Sequence, residues 1–300
     1  MDELKPRTQT ELFPGEQVGL AETSPRGQLL KWVGNKQRFA RDIIGMFPPR
    51  YGRYLEPFVG GGAVLAAVAP KQGLASDVCG PLIEIWRALI ETPVALTSWY
   101  AERWELAESI GKVEAYERVK AAYNAAPNGR DLVFLCRACY AGIVRFRKAD
   151  GYMSTPCGIH SPIHPRAFAA RVEDWHRRLR ETEFREEDFR VAMRRARPGD
   201  LVYCDPPYTN TQRILYGAQS FSLPSLMEAI ADCKRRGVYV ALSIDGTKRS
   251  GTVECNPEMP AGLFEREIPV RCGGSMIKRF QMNGQTLDGE VVADRLLLTY

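Results

Sequence analysis

One stretch limits this chain's possible folds more than any other: Leu201-Val202-Tyr203-Cys204-Asp205-Pro206-Pro207-Tyr208. Its first four residues are apolar or aromatic and follow Pro198-Gly199-Asp200, the pattern of a short strand buried in a parallel sheet. Pro206 and Pro207 have no backbone N–H and a fixed φ, so the ladder must stop there, leaving Asp205 where strand meets loop. In open α/β sheets, ligands sit at the carboxyl ends of strands, so Asp205 is placed for chemistry. Together, Asp205 and the Pro206 carbonyl can accept both hydrogens of an exocyclic amine, and Tyr208 offers a face for stacking. An aromatic amine such as that of adenine is a poor nucleophile until its lone pair leaves the ring. Two acceptors that draw its hydrogens toward tetrahedral geometry act at the moment of attack. The plainer alternative is a proline-ended strand whose Asp caps a turn.

Other segments complete an α/β pattern. Residues 53–56 read as a first strand, Gly60-Gly61-Gly62 as a tight turn, and residues 63–69 as a small-residue helix. Leu65 occupies the third glycine's place of the dinucleotide fingerprint, and the P-loop Lys-Ser/Thr is missing, so the turn suits a ligand without a pyrophosphate. Residues 74–77 read as a second strand ending in Asp77, a carboxylate that can take ribose hydroxyls. Residues 37–47, 81–91 and 223–236 have helical periodicity, and Leu82, Ile85, Trp86 and Leu89 form one core face. Residues 184–189, 238–243, 267–271 and 295–300 read as further strands. The order argues for a doubly wound α/β domain with an inserted, mainly helical module at residues 92–183.

Within that module, residues 132–151 alternate basic and aromatic side chains up to Asp150-Gly151. This suits a β-hairpin laid against nucleic acid, or else a solvated charged face. Composition supports a globular chain: 45% hydrophobic, 26% charged, net charge +5. There is no run of membrane-spanning length and no signal-peptide core, so a cytoplasmic protein is expected. Residues 1–26 are polar, without periodicity, and read as a mobile tail. Cys136-x-x-Cys139 followed by Cys157 and His160 has zinc-like pairing, but the first pair lies in an apolar run. Buried reduced thiols are the expectation, with no metal. Residues 209–221 read as a flexible segment over the site, and residues 272–286 as a loop that either faces DNA or is a mobile connection.

Three of these stretches together carry a resemblance. Asp205-Pro206-Pro207-Tyr208 looks like the D-P-P-Y signature of S-adenosylmethionine-dependent amino-methyltransferases. Leu30-Lys31-Trp32-Val33-Gly34-Asn35-Lys36 and Glu56-Pro57-Phe58-Val59-Gly60-Gly61-Gly62-Ala63-Val64 resemble the other hallmark motifs of the Dam-like (D12 class) DNA adenine-N6 methyltransferases, in that family's order. The resemblance implies a Rossmann-like methyltransferase sheet in residues 27–91 and 184–300, and DNA recognition in residues 92–183. It implies transfer of a methyl group from S-adenosylmethionine to an adenine flipped out of duplex DNA, without a metal, by a monomer or weak dimer in a prokaryotic cell or phage-infected host. Asp205, Pro206, Pro207 and Tyr208 are then catalytic. Trp32, Lys36, Glu56, Phe58, Gly60, Gly62, Asp77, Asp188, Phe189 and Asp205 form the cofactor site, with Lys36 near the methionyl carboxylate and Phe189 stacking on the adenine. Arg137, Tyr140, Arg145, Arg147 and Lys148 face DNA. Cys136, Ala141 and Arg147 stand where that family has asparagines, which removes amide readers of base edges and adds an arginine. RNA adenine or a protein glutamine amide as methyl acceptor, or a catalytically silent DNA-binding scaffold, are the alternatives.

Overall fold

A computed structural model of the chain describes residues 25–147, 149–207, 221–248, 253–254, 259–271 and 293–300. The expected N-terminal tail, the segment expected over the site, the loop expected at 272–286, Lys148 and Tyr208 lie wholly or mostly outside these.

The strands are β1 (Tyr54–Glu56), β2 (Gly73–Asp77), β3 (Thr182–Glu186), β4 (Leu201–Cys204), β5 (Tyr239–Lys248), β6 (Val253–Glu254), β7 (Arg266–Arg271) and β8 (Ala293–Leu298). They form one sheet in the order β3-β2-β1-β4-β5-β8-β7, with β6 on β5. The first five are parallel, and β8 runs antiparallel to both β5 and β7. Both faces are buried, and the strands show why. Tyr54, Ala75, Leu201, Tyr203, Ala241, Leu296 and Leu298 belong to one apolar core, and their alternates Leu55, Leu74, Val202, Cys204, Val240, Leu242 and Leu297 to the other. A period of two with both phases apolar is the mark of a sheet covered on each side.

On the first face lie α1 (Ala40–Ile44), α2 (Ala63–Val68), α3 (Gly80–Glu91), α4 (Pro93–Ile110), α5 (Lys112–Ala125), α6 (Gly129–Ala138) and α7 (Pro165–Leu179). On the other lie α8 (Phe189–Arg194) and α9 (Leu223–Arg235). Every residue of α2 is buried, which explains its wholly apolar composition. The stack of Trp86 on Trp175 and Phe184 joins α3, α7 and β3. The segment between β2 and β3 is therefore helical as expected, but it shares one continuous core with the sheet.

Three expectations change. The helix expected at 37–47 is only the five residues Ala40–Ile44, flanked by turns, and Phe39 at its N-cap supplies no capping oxygen. The strand expected at 184–189 ends at Glu186, since Asp188 caps α8 by accepting from Arg190 N–H. The hairpin expected across 132–151 begins only after a helix. Asn128 accepts from Asp131 N–H to start α6, in which every residue but Arg130 is buried. Beyond it, Phe146 bridges Met153 and Arg147 N–H donates to Tyr152 O, so residues 143–155 fold back on themselves. Val144, Phe146, Met153 and Thr155 point inward while Arg145 and Arg147 point to solvent.

Candidate active site

Strand order reverses between β1 and β4, the switch point where a doubly wound sheet opens a crevice at its carboxyl edge. A cleft sits there, with about 950 Å³ of empty space including its open mouth. It is lined by Trp32 to Lys36, by Glu56 to Val64 after β1, by Asp77 after β2, by Asp188 and Phe189, by Asp205 and Pro207 after β4, and by Phe221. All ten residues expected around a cofactor line this one cleft. Pro206 is buried and does not line it, whereas Pro207 does.

The glycine bend is held from two sides. Gly60 and Gly62 take φ of 44° and 61°, a region L residues rarely adopt, and a Cβ on Gly60 would meet the Trp32 ring at 3.1 Å. Trp86 Nε1 donates to Gly60 O at 3.1 Å. Asp77 Oδ2 accepts from Gly60 N–H at 3.2 Å and Oδ1 from Cys79 N–H at 3.1 Å. Burial pushes the Asp77 carboxyl above its ordinary range, and these backbone donors oppose that.

At the acidic corner, Lys36 Nζ donates to Asp205 Oδ1 at 2.8 Å and to Gly34 O at 3.2 Å, and lies 3.6 Å from Asp294 Oδ2. The ammonium, expected near a carboxylate of the ligand, already pairs with two of the chain's own. Glu56 accepts from Tyr54 Oη at 2.7 Å. Burial raises the Glu56 carboxyl to about 8, against the lowering hydrogen bond from Tyr54, with the Asp205 charge raising it further. Beneath Asp205, Tyr203 Oη lies 2.9 Å from Ser243 Oγ in the core. At the far end Phe58 stacks on Phe189 with centroids 5.3 Å apart, and Phe221 packs edge-on to Phe58. Asp188 turns away from a free role: it caps α8 and pairs with Arg190, whose guanidinium holds its carboxyl below the usual range.

This set fits S-adenosylmethionine better than a nucleotide with a pyrophosphate. A buried ammonium, a carboxylate on the second strand, an aromatic wall and a glycine bend too tight for a Cβ match a carboxylate, a ribose, an adenine and a closely approaching chain. Reasoning from the sequence missed Asn35, Phe221 and Asp294; only Asn35, inside the first motif, carried a local signal.

The five side chains expected at DNA divide. Arg145 and Arg147 are exposed, and Arg147 pairs with Asp150 at 2.6 Å and lies over the Tyr152 ring. Tyr140 is half-buried. Arg137 corrects the expectation. It is 3% exposed, and its guanidinium donates to Gln28 O and Leu29 O, so it ties α6 to the segment that leads into Trp32. The thiols of Cys136 and Cys139 are buried in the same core and contact backbone carbonyls. Among the described residues no group of His, Cys, Asp and Glu could hold a metal, and no helix is long and apolar enough to cross a membrane.

Residues 32–253 match the family described as D12 class N6 adenine-specific DNA methyltransferase. A DNA N-6-adenine-methyltransferase of Escherichia phage P1 is 27% identical over 230 residues, which cover 73% of this chain but 30% of the phage protein. A DNA adenine methylase of Vibrio cholerae is 28% identical over 228 residues, 71% of this chain and 79% of that protein. The type II methyltransferase M1.LlaDCHI of Lactococcus lactis subsp. cremoris is 24% identical over 235 residues, again 71% and 79%.

Proposed function

This chain belongs to the D12 class N6 adenine-specific DNA methyltransferases, and on that premise we propose that it methylates N6 of an adenine turned out of duplex DNA into the cleft beside Asp205. The observation that carries the reading is the meeting of Asp205 and the glycine bend in one cleft at the switch point.

When bound, S-adenosylmethionine supplies an electrophilic methyl on a sulfonium. Lys36 would hold its carboxylate, Asp77 would accept from its ribose hydroxyls, and Phe58, Phe189 and Phe221 would enclose its adenine. Asp205 and the Pro206 carbonyl would accept the two hydrogens of the target amine and free its lone pair for attack. The new N–C bond would replace the S–C bond of the sulfonium, and the Asp205 carboxylate would take the proton shed by nitrogen. Positioning and electrostatics carry the barrier. The target base must leave the duplex to reach this depth, and Tyr208, next in sequence to Pro207, is the stacking partner in this reading. Residues 92–183 serve as the DNA-facing module, with Arg145, Arg147 and Lys148 meeting phosphates from the hairpin.

Incubation with tritiated cofactor and duplex DNA, RNA or no acceptor tests this. Label is expected in DNA alone. Asp205→Ala is expected to abolish transfer and to leave DNA binding within about threefold, because the lost group orients the amine rather than the duplex. Label in RNA, or full activity of the variant, would contradict the reading.

A further inference from the structure

β8 runs against the parallel strands, so its first residues stand at the edge where those strands end. Asp294 pairs in register with Asp245 of β5 and shares strand phase with Leu296 and Leu298, whose side chains enter the core that also holds Trp32 and α1. A residue near the end of the chain is thereby delivered to Lys36. The Lys36 ammonium is 5% exposed and has three hydrogens to place. Around it stand Gly34 O at 3.2 Å, Asp205 Oδ1 at 2.8 Å and Asp294 Oδ2 at 3.6 Å.

We propose that Asp294 is a positioning residue for methyl transfer: it shares the Lys36 ammonium with Asp205, and so sets the orientation in which Asp205 receives the target amine. The inference rests on the methyltransferase reading. A cation shared by two carboxylates takes a position set by both, and removal of one shifts it toward the groups that remain. Asp205 Oδ1 lies 2.8 Å from Lys36 Nζ, so a shift of the ammonium moves the carboxylate that it holds. Displacement of a reacting group by even an ångström is costly, while binding of a ligand carboxylate by Lys36 loses nothing when a competing carboxylate is removed.

Asp294→Asn keeps the side chain's shape and removes its charge. At saturating cofactor and duplex DNA it is expected to lower kcat about tenfold or more, while the Kd of S-adenosylhomocysteine, read by calorimetry, stays within about twofold or tightens. The double variant with Lys36→Met is expected to turn over no more slowly than Lys36→Met alone, because Asp294 acts only through the ammonium. Asp294→Glu is expected to recover part of the lost rate. Wild-type kcat in Asp294→Asn, additive losses in the double variant, or a parallel fall in kcat and product affinity would each overturn the inference and leave the functional reading standing. A wild-type protein that transfers no methyl to any DNA would overturn both.

Discussion

At the scale of single residues the cleft is governed by burial. A carboxyl raised to about 8, as at Glu56, holds its proton more tightly in the folded than in the unfolded chain, whose value lies near 4.5. The folded state then loses stability as pH rises between those two values, and the loss is complete above the folded one. Urea melts of wild type from pH 5 to 9 are expected to show this fall, and Glu56→Gln to flatten it; a slope unchanged in the variant would place the titration elsewhere. Gly60 makes a second prediction. An added methyl meets the Trp32 ring at 3.1 Å on a backbone with φ of 44°, a strain of roughly 1–2 kcal/mol. Gly60→Ala should weaken S-adenosylhomocysteine binding about tenfold by calorimetry. These residues were legible in the sequence because each lies within a motif at a strand end, where chemistry and local backbone share the same few positions. Asp294 was not, since its partner is Lys36 at the other end of the chain and only strand pairing brings them together. The dual engagement of Lys36 was hidden for the same reason.

At the scale of elements, periodicity worked where one face or both faces of an element met a core. β4, with four buried residues, and α3, with its Leu82, Ile85, Trp86 and Leu89 face, follow from apolar pattern alone. It misled at α6, where alternating charge and apolar character suggested a strand and the cap was the better guide. Asn128 with Asp131 three residues on marks a helix start, and Arg137 is apolar in its surroundings though not in its type. Arg137→Ala strands two buried carbonyls and should cost about 2–4 kcal/mol in chemical melts, with DNA affinity of the folded protein unchanged. Arg145→Ala with Arg147→Ala should do the reverse, leaving the melt unaltered and reducing the salt dependence of DNA binding by about one to two units of slope. A clamp at the amino end of the sheet obeys the same logic. Asp200 accepts from Arg53 N–H, from the Arg53 guanidinium and from Arg197 N–H, joining the starts of β1 and β4. Asp200→Ala is expected to cost about 2–4 kcal/mol, and a melt within about 0.5 kcal/mol of wild type would remove the clamp from the account.

At the scale of the whole molecule, strand order puts the acidic corner, the glycine bend and the aromatic wall around one crevice, and β8 brings Asp294 to the Lys36 ammonium at its wall. The helical segment between β2 and β3 carries an exposed basic hairpin while sharing its core with the sheet, so on the proposed function the DNA-facing side chains and the cleft belong to one packed body. On the proposed function this crevice delivers a methyl group to the amino nitrogen of adenine in duplex DNA, and mass spectrometry of nucleosides digested from duplex DNA treated with the protein and S-adenosylmethionine reads that product. N6-methyldeoxyadenosine is expected with wild type and none with Asp205→Ala; methylated cytosine as the product, or no methylated nucleoside with wild type, would overturn the function.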